Sequence, residues 1–338
     1  MAQAPVNAPD HDQQQEKSRV LDCRPLPFGF GARMDLTQHI TTFGAYLKQR
    51  WGQPVHKVSV NGGFTCPNRD GSKGIGGCTF CNNVSFSPAA RAQTSVAEQI
   101  ATGQARIRKR KPATHFIAYF QTYTNTYADI DELRALYDEA LAQPDVIGLS
   151  IGTRPDCVPD PVLDLLARYQ QQGKEIWLEL GLQSAFDESL ARVNRGHGWA
   201  EYEDALRRAH QRGLKICTHL IVGLPGESAA DSLISLEKVL ALGTEGLKIH
   251  PLHVVKGTQL AREWKRGEYQ PIAEEDYVQV AARMIRRTPR HVVFHRLTGT
   301  ASEDLLLAPQ WCARKWPVLN AIAEEVQRLH ETAQPGPA

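Results

Sequence analysis

Between about residue 40 and residue 300, short apolar runs of β character alternate with longer segments whose apolar positions recur at helical spacing. The runs predict strands at HKVSV (56–60), THFIAYF (114–120), VIGLSIGT (146–153), EIWLELGL (175–182), KICTHLIVGL (215–224) and GLKIHPL (246–252), with VVFHRL (292–297) as a seventh candidate. Helices are predicted between them at 95–110, 129–142, 160–172, 199–213 and 227–243. Six βα units in succession imply an α/β fold, a parallel sheet with helices outside. The strand candidates are apolar almost throughout rather than alternating, so both sheet faces are buried, as in a barrel or an open doubly wound sheet. The period does not choose between the two.

The ends of the chain differ from this series. Residues 1–34 are polar and rich in Pro, Gln and Asp, too poor in apolar side chains to pack, and are expected to form a disordered tail. Residues 35–300 carry the βα series, and 301–338 read as a loop and a docking helix with a frayed end. At 338 residues, 42% hydrophobic and 22% charged, the chain has a globular composition, and a net charge of +2 decides nothing about polyanionic partners. No apolar stretch of about 18 residues and no basic start followed by an apolar run occur, so neither a membrane span nor a signal peptide is expected. Seven cysteines, an odd number with three clustered, suit a reducing compartment, and the cytoplasm is the expected location.

Those three lie in CPNRDGSKGIGGCTFC, where Cys78 and Cys81 form a C-x2-C pair and Cys66 stands eleven intervening residues upstream. Glycines between them let the chain fold back around a compact object, and the spacing points to a metal. Structural zinc sites take four ligands, and no fourth Cys or His belongs to the pattern. A [4Fe–4S] cluster on three thiolates would leave one iron open to a small molecule. A zinc loop completed by a distant Cys157, Cys217 or histidine is the alternative.

The triplet, set after the first strand of a βα series, resembles the radical S-adenosylmethionine (SAM) superfamily with a widened first spacing. Within it the chain is similar to the catalytic subunit of Elongator and, more nearly, to the YhcC/YtqA-type small proteins. The resemblance covers about residues 36–330 and rests on strings in register: FTCPNRDG (64–71), YFQTYTNTYA (119–128), GTRPDC (152–157), LELGLQS (178–184), VNRGH (193–197), HLIVGLPGE (219–227) and HRLTGT (295–300). It implies a partial (β/α)6 TIM-like radical SAM barrel with a C-terminal helical extension, cluster and SAM lying at the C-terminal strand ends.

The resemblance also implies roles. Cys66, Cys78 and Cys81 would ligate the [4Fe–4S] cluster. Phe80 corresponds to an aromatic position that packs near adenine in relatives, loop packing being its plainer role. Gln121 and Thr122 stand where relatives carry a Gly-Gly-Glu motif that receives the methionine amino group. Gln183 and His219 match positions that contact the ribose in oxygen-independent coproporphyrinogen oxidase, where the second is Asp. Arg195, twelve residues after Gln183, matches an arginine near the methionine carboxylate, a pairing that a guanidinium fork suits. Glu179 is a carboxylate among apolar neighbours, costly unless paired or functional, and is a candidate for contact with cofactor or substrate or for neutralising an arginine. Asp156 is the remaining acid where Elongator relatives read Glu-Thr-Arg-Pro-Asp. GLPGE (223–227) looks like a phosphate loop but in this order reads as a tight strand-to-helix turn.

By the same resemblance, the cluster would deliver one electron to SAM, and the resulting 5′-deoxyadenosyl radical would take a hydrogen atom from substrate. A reductant such as flavodoxin or ferredoxin is implied. Relatives lean toward tRNA, with trimming of a carboxymethylaminomethyl group to aminomethyl on the wobble uridine as the favoured reaction. The basic run Arg106, Arg108, Lys109, Arg110 and Lys111 could hold phosphates or simply cap a solvated helix end. A small-molecule or protein side-chain substrate and a zinc-binding adaptor are the other readings.

Overall fold

A computed structural model describes residues 36–85 and 92–332. The expected tail at 1–34 and the frayed end lie outside the described residues. The chain runs through β1 (Thr41–Thr42), α1 (Phe43–Trp51), β2 (Val55–Val60), α2 (Val96–Arg108), β3 (His115–Phe120), α3 (Ile130–Leu141) and β4 (Val146–Thr153). It continues with α4 (Asp160–Gln171), β5 (Glu175–Gln183), α5 (Asp187–Arg192), α6 (Trp199–His210), β6 (Lys215–Val222) and α7 (Ala229–Ala241). Then come β7 (Gly246–Pro251), β8 (Val254–Val255), α8 (Gln259–Lys265), α9 (Glu274–Arg287), β9 (Val293–Arg296), β10 (Leu306–Ala308) and α10 (Lys315–Glu331).

The helices start where capping side chains satisfy their first amides. Ser95 and Glu98 exchange hydrogen bonds at the head of α2 (3.2 and 3.1 Å), and Ser228 and Asp231 do the same for α7. Asp129 caps α3 by accepting from the Asp131 amide at 2.8 Å.

Eight strands form one parallel sheet in the order β1-β9-β7-β6-β5-β4-β3-β2, and β8 pairs with β10 in a separate antiparallel ribbon. Strands β2 to β7 are the six expected from the sequence. The seventh candidate is β9, and β1 adds an eighth beyond it. All nine residues of β5 are buried, as a strand covered on both faces requires.

Curvature decides between the two readings left open by the sequence. Lys57 on β2 and Glu179 on β5 are three strands apart, roughly 14 Å along a flat sheet at about 4.8 Å per strand. Their charged ends nevertheless meet at 2.6 Å, and Lys248 from β7 reaches the same carboxylate. The sheet therefore curls into a half-barrel whose inward side chains converge. Helix α1 fills the inner side near the strand starts, where Phe43 packs edge-on against Trp177 (5.6 Å) and stacks on His295 (3.9 Å). The opposite end, at the C-terminal strand ends, holds the cavity. Outside, α10 buries Val318, Ile322 and Val326 and packs on α9.

Candidate active site at the cysteine loop

The cysteine loop leaves β2 and is fastened to the segment that follows α5. The Thr79 amide donates to the Val193 carbonyl (3.0 Å), Asn194 Nδ2 to the Gly77 carbonyl (2.8 Å), and Asn68 Nδ2 to the Asn194 carbonyl. The strings around Cys78 and around Arg195 thus fold as one unit, although more than a hundred residues separate them. Cys66, Cys78 and Cys81 are free thiols that line the same cavity.

Arg195 spans the gap between that loop and the end of β5. Its Nη1 lies 3.5 Å from Cys78 Sγ, and its Nη2 donates to the Gly181 carbonyl at 2.6 Å. Its Nε donates to His197 Nε2 at 2.9 Å, which leaves Nδ1 of that histidine to donate to the Gly198 carbonyl. Burial, with Arg195 next in weight, pushes His197 down to about 3, so it stays neutral and accepts. Arg154 fixes the same segment from below, donating to the carbonyls of Arg195 (2.7 Å) and Gly196 (2.9 Å).

Six of the eight non-cysteine residues expected at the site share the cavity wall with the thiols: Phe80, Gln121, Glu179, Gln183, Arg195 and His219. Thr122 and Asp156 do not. Thr122 is fully buried and donates to Asn61 Oδ1 at 3.0 Å. Asp156 is held between Nε and Nη2 of Arg154 (2.9 Å each) and Lys73 of the cysteine loop (2.5 Å). Burial would raise its carboxyl, but Arg154 and Lys73 outweigh that and lower it to about 2. It positions Arg154, which in turn carries the backbone of Arg195.

Glu179 neutralises lysines rather than an arginine. Its carboxylate takes hydrogen bonds from Lys57 Nζ (2.6 Å), Lys248 Nζ and Ser150 Oγ, with His295 Nδ1 at 3.4 Å. Burial alone would raise it, yet Lys248 and Lys57 hold it well below the usual carboxylate range. Lys248 Nζ also donates to the Tyr119 hydroxyl at 2.5 Å. Neither lysine was singled out from the sequence, although each is the one Lys, Arg, Asp or Glu in its strand.

Donors facing the thiols suit a thiolate-held cluster. Besides Arg195, Asn68 Nδ2 and Asn83 Nδ2 lie 3.9 Å from Cys78 Sγ and Cys81 Sγ, and the Arg69 guanidinium donates to the Cys81 carbonyl at 2.9 Å. Burial pushes the Cys81 thiol up to about 11, with Cys78 adding to the rise and Arg69 and Arg195 opposing it. Further along the wall, Gln183 Oε1 and His219 Nε2 are buried without a hydrogen-bond partner. Unsatisfied buried polar atoms are rare in folded proteins, and these two fit a polar ligand such as a ribose. Gln183 is also held at φ +83°, a left-handed conformation that turns the chain at the end of β5. Cys157 and Cys217, offered as a fourth zinc ligand, are buried off the cavity wall. Among the described residues no group of three or more His, Cys, Asp and Glu side chains is placed to hold a metal ion.

The basic run lies elsewhere. Helix α2 returns antiparallel to the strands, so its C-terminal end, with Arg108, stands beside the starts of β3 and β4. There Arg108 pairs with Asp145 at 2.5 Å and covers the Phe116 ring at 4.9 Å. The run is therefore at the opposite end of the half-barrel from the cavity. Among the described residues no helix is long and apolar enough to cross a membrane.

Comparison with known proteins agrees with this geometry. Residues 63–237 match the radical SAM superfamily, and residues 244–328 the radical SAM C-terminal domain. The chain is 51% identical to protein YhcC of Escherichia coli over 283 residues, covering 84% of this chain and 91% of that one. It is 36% identical to protein YtqA of Bacillus subtilis over 309 residues, covering 91% and 94%. In structure it is similar to archaeal Elp3 from Methanocaldococcus infernus with a TM-score of 0.57 at 19% identity, covering 82% of this chain and 63% of that one. The zinc-adaptor reading is thereby set aside: the chain belongs to the radical SAM superfamily, a family of enzymes that use SAM and an iron–sulfur cluster.

Proposed function

We propose that Cys66, Cys78 and Cys81 hold a [4Fe–4S] cluster, that SAM lies along the cavity from Arg195 to Gln183 and His219, and that the substrate is a modified wobble uridine of tRNA. The observation that carries the cofactor reading is the single wall on which three thiols, an arginine touching one of them and two unpartnered polar atoms meet. The chemistry that cluster and SAM supply together is one-electron cleavage of the sulfonium C–S bond, giving a carbon radical that takes hydrogen atoms. The chain's own part is positional. Arg195 offers a guanidinium to a carboxylate beside Cys78, Gln183 and His219 offer neutral polar atoms to hydroxyls, and Phe80 closes the wall against an apolar cluster around Val193 and Ile221. Gln121 lines the cavity just past β3, where an amino group can be received.

The tRNA reading is supported by a Methanocaldococcus infernus relative named tRNA uridine(34) acetyltransferase, 31% identical over 137 residues, 40% of this chain and 25% of that one. Trimming of a carboxymethylaminomethyl group to aminomethyl is the reaction we favour. A one-electron reductant of the flavodoxin or ferredoxin class would supply the cluster. Nucleosides from tRNA of cells with and without the gene test it: carboxymethylaminomethyluridine should accumulate without the gene. An unchanged nucleoside profile would turn the reading toward a small-molecule or protein side-chain substrate.

A further inference from the structure

Arg296 ends β9 and lines the cavity, and no acceptor among the described residues takes up its guanidinium. Its register neighbour on β7 is Lys248, which is already engaged by Glu179 and Tyr119. Lys57, Lys248 and Arg296 thus share this end of the half-barrel with one carboxylate, Glu179. Among the described residues Arg296 has no counter-charge in its half-buried position, where an uncompensated cation is unfavourable.

The surroundings of Arg296 are those of a binding wall rather than of the cluster. Arg69 and Arg195 are the cations that act on the Cys81 thiol, whereas Arg296 acts on His219, His250 and His253. His253 Nε2 is buried and has no hydrogen-bond partner. Burial, with Arg296 next, lowers this histidine to about 4, while the Gly299 carbonyl takes its one ring proton, so it carries no charge. Gly299 closes the wall tightly: a Cβ there would stand 3.1 Å from His253 Cε1 and 3.2 Å from His250 Cβ. Arg296 and Gly299 both belong to the HRLTGT string, which the cofactor reading does not use.

We propose that Arg296 is the subsite that receives a carboxylate of the substrate. One uncommitted cation beside neutral histidines matches a monoanion better than a phosphate dianion, and the planar guanidinium pairs with a carboxylate through two parallel hydrogen bonds. The inference rests on the reading of this cavity as the radical site, and a carboxymethyl-bearing uridine has the required group. SAM also carries a carboxylate, but Arg195, against Cys78, lies on the thiol side of the cavity, as Arg69 does.

The test is arginine modification of the anaerobically reconstituted enzyme by phenylglyoxal, mapped by mass spectrometry, with acetate, neutral acetamide or SAM as probes. Arg296 should be modified in the free enzyme. Acetate should slow its modification at least about three-fold, acetamide should not, and acetate should still protect it when SAM is bound. Equal effects of acetate and acetamide, no modification of Arg296 at all, or full protection by SAM with nothing added by acetate would each overturn the subsite. Formation of 5′-deoxyadenosine by the same preparation separates the two readings. Its presence with an unprotected Arg296 sinks the subsite alone, whereas its absence sinks the radical site and leaves acetate protection to report on Arg296.

Discussion

Arg195 and Cys78, 117 residues apart, are in contact: the guanidinium Nη1 lies 3.5 Å from Cys78 Sγ while Nη2 is anchored on the Gly181 carbonyl. The arginine is thereby fixed between the thiol loop and the end of β5, where it can meet a carboxylate with little further loss of side-chain freedom. Arg195→Ala should keep its iron and weaken SAM binding by about 2 kcal/mol, the scale of a charge-assisted hydrogen bond. Anaerobic calorimetry at matched iron content measures this, and unchanged affinity would remove Arg195 from the cofactor.

Gly181 tests the same geometry without touching any charge. A Cβ there would stand 2.6 Å from Arg195 Nη2 and 2.8 Å from Gln183 Nε2, so both side chains must move. Gly181→Ala should form 5′-deoxyadenosine about 10- to 100-fold more slowly, as displacements near 1 Å do elsewhere, while circular dichroism stays at wild type. A wild-type rate would mean that neither side chain positions the cofactor.

Much of this was legible in the sequence because it depends on local pattern. Runs apolar almost throughout marked the strands of the sheet from β2 to β9, and the cysteine spacing and the VNRGH string marked two loops that the structure zips together. What the pattern could not show depends on curvature and register. Lys57, Glu179 and Lys248 lie on three strands, and only the curled sheet brings them together. Thr122 and Asp156 follow their strands at the right places, but one turns into Asn61 and the other into Arg154 and Lys73. Strands β1 and β8 have two residues each and so no period, while α9 carries a clear amphipathic pattern but was not among the helices predicted between the strands, the last of which ends at 243.

Glu179 holds one buried and one partly buried ammonium group, so its loss should be felt first in stability. Glu179→Gln leaves both uncompensated and should cost about 3–5 kcal/mol in chemical unfolding. Because the folded carboxyl titrates well below its ordinary value, its contribution is present above about pH 4.5 and is lost as pH falls through the depressed value. The acid limb of the stability profile should therefore be shallower in the variant, and an unchanged limb would contradict the charge cluster.

Asp156 ties the cysteine loop to Arg154. Its carboxyl is lowered to about 2, so the tie is in place above roughly pH 4 and released as pH falls toward 2. Asp156→Asn should raise amide exchange of the loop around Lys73 several-fold at neutral pH while the β5 and β6 amides stay protected. Unaltered exchange in the loop would show that the bridge to Lys73 holds nothing.

The basic run should be dispensable for the chemistry, since it stands at the far end of the half-barrel. Changing Lys109, Arg110 and Lys111 together to Gln should leave 5′-deoxyadenosine formation at the wild-type rate and leave binding of a short anticodon stem–loop unchanged. A loss of stem–loop affinity, with a salt slope lower by about 1–3, would bring the run into the RNA surface.

Cys66, Cys78 and Cys81, and none of the other cysteines, are the proposed holders of the cluster. Iron, sulfide and 5′-deoxyadenosine should be measured together on anaerobically reconstituted wild type, Cys78→Ala and Cys312→Ala. Wild type and the Cys312 variant, whose thiol is buried beside Tyr277, should carry about four irons per chain and cleave SAM under reduction. Cys78→Ala should lose both properties. A full cluster in the Cys78 variant, or wild type that stays colourless and binds zinc, would contradict the assignment.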